Sequence, residues 1–322
     1  MVYDYDLLVI GSGPAGLAAG IEAGHHGVEA VLFERESVGG ELVNRHTLEN
    51  LPGRSESTGP ELRSTLVDQL RDVGGQVQLA AVDDIRQLDG EAANDDGTPD
   101  RADDGERVGF EIDTTAGTYS TRTVIVATGG RPIRLDVPDA NAYRGRGIFN
   151  CAMCDGPLYA GERIAVSGGD KWALTDALYL TEHAERVVII EEGPKLSAGE
   201  TLRERVDDHP DIEVRTDTEI RGVSGDDVLE RLELFDRTQG TESVETVGGL
   251  YVQHGVEPEA SFLPEWIPRT DCGAVVVDPS LETAVPGLFA AGDVRQSSPQ
   301  SITTALGDGV TAVRSASVYL DE

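Results

Sequence analysis

The chain has 322 residues, 39% of them hydrophobic, which suffices for a buried core and about two domains at roughly 100–200 residues each and excludes a disordered protein. Fifty-nine acidic residues against 26 basic ones give a net charge of −33, so nucleic acid and anionic lipid are excluded as partners by repulsion. No apolar run nears the roughly 18–20 residues of a membrane helix and no secretory signal is visible, so a cytoplasmic protein is expected, its acidity reading as the solvated surface of a halophilic host in which the Debye length falls to about 3 Å.

The first predicted elements make one complete unit. Asp6-Leu-Leu-Val-Ile10 is a continuous apolar run of the kind a buried parallel strand shows. Gly11-Ser-Gly13-Pro14-Ala15-Gly16 follows at once, then a small-residue helix from Leu17 to Gly24, then a strand Glu29 to Phe33 ending at Glu34. Strand before, helix after and an acid about 20 residues on complete the dinucleotide fingerprint. Gly11 permits the tight turn, Gly13 lets backbone approach a pyrophosphate, Gly16 lets helix and strand pack, and Glu34 is placed for a ribose hydroxyl.

Further along, Gln76 to Ala80, Val108 to Ile112 and Tyr119 to Val126 read as strands of an inserted sheet. Between them Asp89 to Glu106 holds eight carboxylates and one arginine, a composition that predicts a solvated loop. Cys151-Ala-Met-Cys154 points to redox work or half a metal site. No second cysteine pair or histidine spacing completes a zinc site, so the pair reads as redox and no metal is expected. Cys272, alone in an apolar stretch, is expected in a buried strand.

The first pattern recurs 157 residues later. Arg163 to Val166 is a strand, Gly168-Gly-Asp170-Lys-Trp172-Ala173 takes the turn, Leu174 to Ala184 makes a helix, and Val187 to Ile190 leads to Glu191 in register with Glu34. Here the close-approach glycine is Asp170, whose carboxylate would repel a pyrophosphate. Trp172 replaces a small residue, and Glu191-Glu192-Gly193 offers no positive charge to a 2′-phosphate. Glu191 alone would suit the 2′-hydroxyl of NADH. From Thr218 to Leu250 short strands alternate with turns.

In order, the glycine fingerprint, Gly39-Gly40-Glu41-Leu42, Asn50-Leu-Pro-Gly53, Ala127-Thr128-Gly129-Gly130, Cys151-Ala-Met-Cys154-Asp155-Gly and Gly292-Asp293-Val294 resemble the bacterial and archaeal low-molecular-weight thioredoxin reductases over about residues 5 to 320. The resemblance implies an α/β fold of two Rossmann-like dinucleotide-binding domains, parallel sheets with inserted antiparallel strands, the second domain inserted into the first. An FAD-binding segment would span 1–134, an NAD(P)-binding-like domain carrying the CxxC 135–247, and the FAD-binding return 248–322. Hinges would fall near Arg131-Pro132 and Gly248-Gly249, and a homodimer is implied.

By the same resemblance FAD is held by Gly11, Gly13, Pro14, Ala15, Gly16, Glu34, Gly40, Glu41, Leu42 and Asn50. Ala127, Thr128 and Gly129 join them, with Gly292, Asp293, Gln300, Ser301 and Ile302 from the return segment. Glu41 stands where the family has Gln, and Pro299-Gln300 where it has Arg-Gln. Cys154 would face the flavin, Cys151 would attack the disulfide of thioredoxin or a thioredoxin-like protein, and Asp155 would move the proton. With the second turn altered, ferredoxin or a reduced deazaflavin is the expected electron donor. An NAD(P)H-dependent enzyme and a flavoprotein redox sensor without turnover are the alternatives.

Overall fold

The computed structural model describes residues 2–48, 51–54, 57–88 and 109–321; Asn50 and the acidic stretch 89–106 lie outside them. The chain divides into two compact units, 1–131 with 257–322, and 132–256.

In the first unit Tyr5–Ile10 is covered on both faces, and Leu7, Leu8 and Val9 are completely buried, each such side chain contributing roughly 1.5–3 kcal/mol. It runs parallel to Ala30–Glu34, Leu8 opposite Val31, and to Gly117–Val126, Leu8 opposite Val124. Among the described residues seven strands form this sheet. Their order is Gln76–Leu79, Ala30–Glu34, Tyr5–Ile10, Gly117–Val126, Phe110–Thr114 and Val82–Gln87, with Leu288–Ala290 parallel to the end of Gly117–Val126. Phe110–Thr114 is antiparallel to both neighbours, as expected of an inserted sheet. The helices Pro14–His26 and Ile302–Asp321 pack on each other. Gly309 allows their approach, because a Cβ there would overlap the Ala15 carbonyl.

The second unit repeats the plan with five parallel strands among the described residues. They lie in the order Ile212–Arg215, Arg186–Ile190, Arg163–Ser167, Gly249–Val252, Ile148–Phe149. Thr218–Ser224, Arg231–Asp236 and Thr241–Thr246 form a separate antiparallel sheet.

The segment limits differ from the expected 134 and 247. Gly249–Val252 pairs with Arg163–Ser167, Leu250 opposite Ala165, so the second unit keeps that strand and the return begins at Glu257. The crossing segments Gly130–Pro132 and Val256–Pro258 pair as a two-stranded ribbon, and the Ile133 N–H donates to the Gly255 carbonyl at 3.0 Å.

Cys272 is not buried. Gly273 (φ 85°) closes a turn in which its N–H bonds the Thr270 carbonyl and the Thr270 N–H bonds the Ala274 carbonyl, both at 2.8 Å. This turn carries the thiol to the surface. No helix among the described residues is long and apolar enough to cross a membrane.

Candidate active site

The glycine turn of the first unit follows directly from its glycines. Gly11 has φ 101°, and a Cβ there would overlap the Ala127 carbonyl; one on Gly16 would overlap the Gly11 carbonyl. Gly13 is the opposite case: the space where its Cβ would stand is empty within 4 Å. It is the N-cap of Pro14–His26 and makes no side-chain capping bond, while Pro14 has no N–H of its own to satisfy. An uncapped helix N-terminus facing open space suits a phosphate.

Glu34 closes one side of this turn. Only 9% exposed, it accepts the Ser12 hydroxyl at 2.7 Å and the Ser12 N–H at 3.0 Å on Oε2, and the Glu36 N–H at 2.9 Å on Oε1. Three donors hold the carboxylate rigid, as a ribose-binding acid requires. Gly40 lies over the turn, its Cβ position 3.2 Å from the Gly13 Cα, and the Gly39 N–H reaches the Ser12 carbonyl at 2.9 Å.

Not every expected side chain is available here. Leu42 is buried in the hydrophobic core, so it can offer only backbone. Glu41 turns to Asn44 at 3.2 Å and to Arg45 at 3.9 Å. Ala127 donates its N–H to the Ile10 carbonyl at 2.8 Å. Thr128 donates its hydroxyl to the Glu259 carbonyl at 2.6 Å, and Gly129 receives the Glu259 N–H at 3.0 Å.

The return segment adds a second clamp. Gly292 (φ 81°) packs on Ala15, its Cβ position 3.0 Å from the Ala15 Cβ, and its N–H donates to Asp308 at 3.0 Å. Arg295 grips the same carboxylate with Nε at 2.6 Å and Nη2 at 3.0 Å. Asp293 accepts the Ser298 hydroxyl at 2.7 Å. Ser298 in turn accepts the N–H of Gln300, which is left-handed at φ 49°, and Ser301 receives the Ala305 N–H as the helix from Ile302 begins. Sequence reasoning missed Ser12, Arg295, Ser298 and Asp308. Asp308 had a signal, an acid set between two glycines, Gly307 and Gly309, within a helix.

The second unit copies this turn and changes its centre. Gly168 (φ 128°) bonds the Ile190 carbonyl at 3.0 Å, as Gly11 bonds that of Phe33 at 2.8 Å. Glu191 accepts the Gly193 N–H at 2.8 Å just as Glu34 accepts that of Glu36. At the position of Gly13, however, stands Asp170. Its Oδ1 accepts the N–H groups of Trp172 at 2.9 Å and Ala173 at 2.8 Å, so the helix begins at Lys171, earlier than expected, and ends at Leu180. The helix terminus is already capped by the chain's own carboxylate. Nearby His254 bonds Ser167 at 2.8 Å, and burial holds its pKa down against the pull of Glu192, Glu191 and Asp170.

Cys151 and Cys154 form a disulfide with Cα atoms 5.3 Å apart. Cys151 caps the short helix Ala152–Asp155, its Sγ accepting the Cys154 N–H at 3.1 Å. Asp155 is half-buried, and desolvation pushes its pKa up. Beside it Tyr159, itself raised by burial and by the Asp155 charge, stacks on Phe149 at 4.9 Å.

An open Rossmann turn, a second copy of it closed by Asp170 and a CxxC disulfide are the features of a disulfide oxidoreductase built on nucleotide-binding units. Residues 5–309 match the family described as pyridine nucleotide-disulphide oxidoreductase. The thioredoxin reductase of Listeria monocytogenes is 31% identical over 99% of this chain and 94% of its own. The crystal structure of Lactococcus lactis thioredoxin reductase has 30% identity and a TM-score of 0.90 over 99% of each chain. A ferredoxin-flavin thioredoxin reductase from Clostridium acetobutylicum has 25% identity and a TM-score of 0.50, also over 99% of each chain. The chain belongs to the pyridine nucleotide-disulphide oxidoreductase family and is a flavoprotein enzyme like the thioredoxin reductases in it. Its cofactor is FAD, and the open Gly13 turn with its fixed Glu34 fits that group.

Proposed function

We propose that this enzyme reduces the disulfide of thioredoxin, or of a similar protein, through Cys151 and Cys154, with a donor other than NADPH. The observation that carries the reading is the Cys151–Cys154 disulfide beside a carboxyl group whose pKa burial has raised. When bound, FAD supplies two-electron chemistry between a donor and this disulfide. The backbone at Gly13 would hold its pyrophosphate, Glu34 a ribose hydroxyl, Asp293 the ribityl chain, and Gln300, Ser301 and Ile302 the ring.

The chain's own residues account for the exchange. In the disulfide the Cys154 N–H faces Cys151 Sγ at 3.1 Å; kept on reduction, that bond favours the Cys151 thiolate, the species that attacks a disulfide. Cys151 bonds one sulfur of the partner and the partner's other sulfur leaves as thiolate. Asp155, protonated to higher pH than an exposed carboxyl, supplies the proton. Cys154 then attacks Cys151 Sγ, the second partner thiolate leaves, and the internal disulfide returns.

The donor reading rests on Asp170. A carboxylate bonded to the two N–H groups that a pyrophosphate would use disfavours NADPH, and Glu191-Glu192 gives no cation for a 2′-phosphate. Ferredoxin, which the Clostridium acetobutylicum relative's name states, or a reduced deazaflavin replaces it. Anaerobic bleaching of the flavin by NADPH, NADH, reduced ferredoxin and reduced deazaflavin, each offered separately, tests this. Bleaching only by the last two is expected, and rapid bleaching by NADPH overturns it. Cys151→Ser tests the exchange role: disulfide reduction is lost while FAD stays bound.

A further inference from the structure

The second unit has a cleft of about 570 Å³ lined by Asn141, Arg144, Ile148, Phe149, Asn150 and Asp155. Asn150 immediately precedes Cys151 and Asp155 immediately follows Cys154, so the cleft adjoins the disulfide in the chain. Its volume is that of a small-molecule site. Phe149 makes an apolar wall, stacked on Tyr159 at 4.9 Å with ring planes 12° apart. Gly249 makes that stack possible, since its Cβ position lies 3.1 Å from both rings.

The lining carries one cation, Arg144, together with the Asp155 carboxyl. In a chain of net charge −33, Arg163, Arg215 and Arg295 are tied to carboxylates. Arg144 is exposed and makes no ion pair among the described residues, and neither does Arg146, two positions on, whose guanidinium turns to the Ala142 carbonyl at 2.6 Å. An uncommitted guanidinium offers a fork that matches a carboxylate. The asparagines beside it add neutral polar groups, Asn150 being fixed by its bond to the Val252 carbonyl at 2.7 Å.

We infer that this cleft binds low-molecular-weight disulfides bearing a carboxylate, and that the Cys151–Cys154 pair reduces them. This rests on the exchange chemistry proposed above. The Cys151 thiolate bonds one sulfur of RSSR, the RS–SR bond breaks, and RS⁻ leaves with a proton from Asp155. Asp155, now a carboxylate, takes the proton of the Cys154 thiol, whose thiolate bonds Cys151 Sγ; the mixed disulfide breaks, and the second RS⁻ leaves with that proton. The dithiol is oxidised by two electrons and RSSR is reduced to two RSH.

The test uses the FAD-loaded protein, reduced with dithiothreitol and desalted without air, so that no electron donor enters. Thiol release is followed from 3,3′-dithiodipropionate, 2-hydroxyethyl disulfide and cystamine, which end in anionic, neutral and cationic groups. The dithiodipropionate rate should exceed the neutral one about tenfold, the worth of one exposed charge-assisted hydrogen bond. Arg144→Gln should erase that ratio and Arg144→Glu should shift the preference to cystamine; Arg144 is exposed, so neither change disturbs a packed contact. The field of the whole polyanion favours cystamine, so an anion preference reports the local guanidinium. Equal rates, a faster cystamine, a ratio untouched by Arg144→Gln, or reduction of thioredoxin alone overturns the inference and leaves the exchange reading standing. No thiol from any of the three nor from thioredoxin overturns both.

Discussion

The carboxylate of Asp170 accepts the backbone N–H of Ala173 at 2.8 Å. The matching residue of the first unit, Gly13, leaves its helix end without a side-chain cap. One chain therefore carries the same turn twice, once open and once closed by its own anion. The closure is local: the flanking glycine, its strand bond and the following acid are retained in both units.

Asp170→Gly should reopen the second turn at little cost in stability, because glycine replaces an N-cap with a loss of only a few tenths of a kcal/mol. Removing a carboxylate from the place of a pyrophosphate should tighten NADPH binding by at least about tenfold. Titration of NADPH fluorescence against the wild type and the variant checks this, and equal affinities would show that Trp172 or Glu191 is the real obstacle.

Gly13→Val should fold and lose its flavin. A Cβ at this position meets nothing within 4 Å, so the side chain is added on the open side of the turn, in the space FAD needs. The ratio of flavin to protein absorbance after purification should fall about tenfold with Tm measured on the apoprotein unchanged. Full flavin content would refute the assignment of this turn.

Asp308→Ala should be far more damaging. It strips a nearly buried Arg295 of a two-point partner and frees the Gly292 N–H, and breaking such a pair costs about 3–5 kcal/mol. Flavin should dissociate at lower denaturant than in the wild type, since the turn carrying Asp293 is no longer held. A chemical-denaturation curve followed by both flavin fluorescence and circular dichroism reads the two effects.

The pH dependence follows from Asp155. Burial raises its pKa in the folded protein, so any stability it contributes is present at low pH and lost as pH rises through the folded pKa. The protonated acid is also the form that assists thiolate departure. Wild-type thioredoxin reduction should thus fall on the alkaline side of that raised pKa. Asp155→Asn should be slower by about 10²–10⁴-fold, the usual range for a lost general acid, and should lack that limb. A pH profile with the same limb in the variant would assign the titration elsewhere.

Much of the site was legible because its chemistry is written in backbone-specific residues. Gly11 and Gly16 must be glycine, one for its positive φ and both for close approach, and such demands survive as a motif. The duplication was legible for the same reason, and with it the oddity of Asp170. What was not legible was which carboxylates and hydroxyls would meet. Asp308 reaches Gly292 and Arg295 across 16 and 13 positions, and nothing in either local stretch announces the other. Cys272 was misplaced because an apolar neighbourhood suggested a strand, whereas Gly273 turns the chain outward.

By itself the sequence determined the two Rossmann units, the adjacency of the cysteines and the loss of an open second turn, since periodicity, glycine sterics and charge are local properties of a chain. Only the tertiary structure decided that Gly249–Val252 belongs to the second sheet and that Glu34 is locked by Ser12. Strand pairing and hydrogen-bond partnership depend on which surfaces meet once the core has closed. Those meetings join residues far apart in the chain, where no local pattern records them.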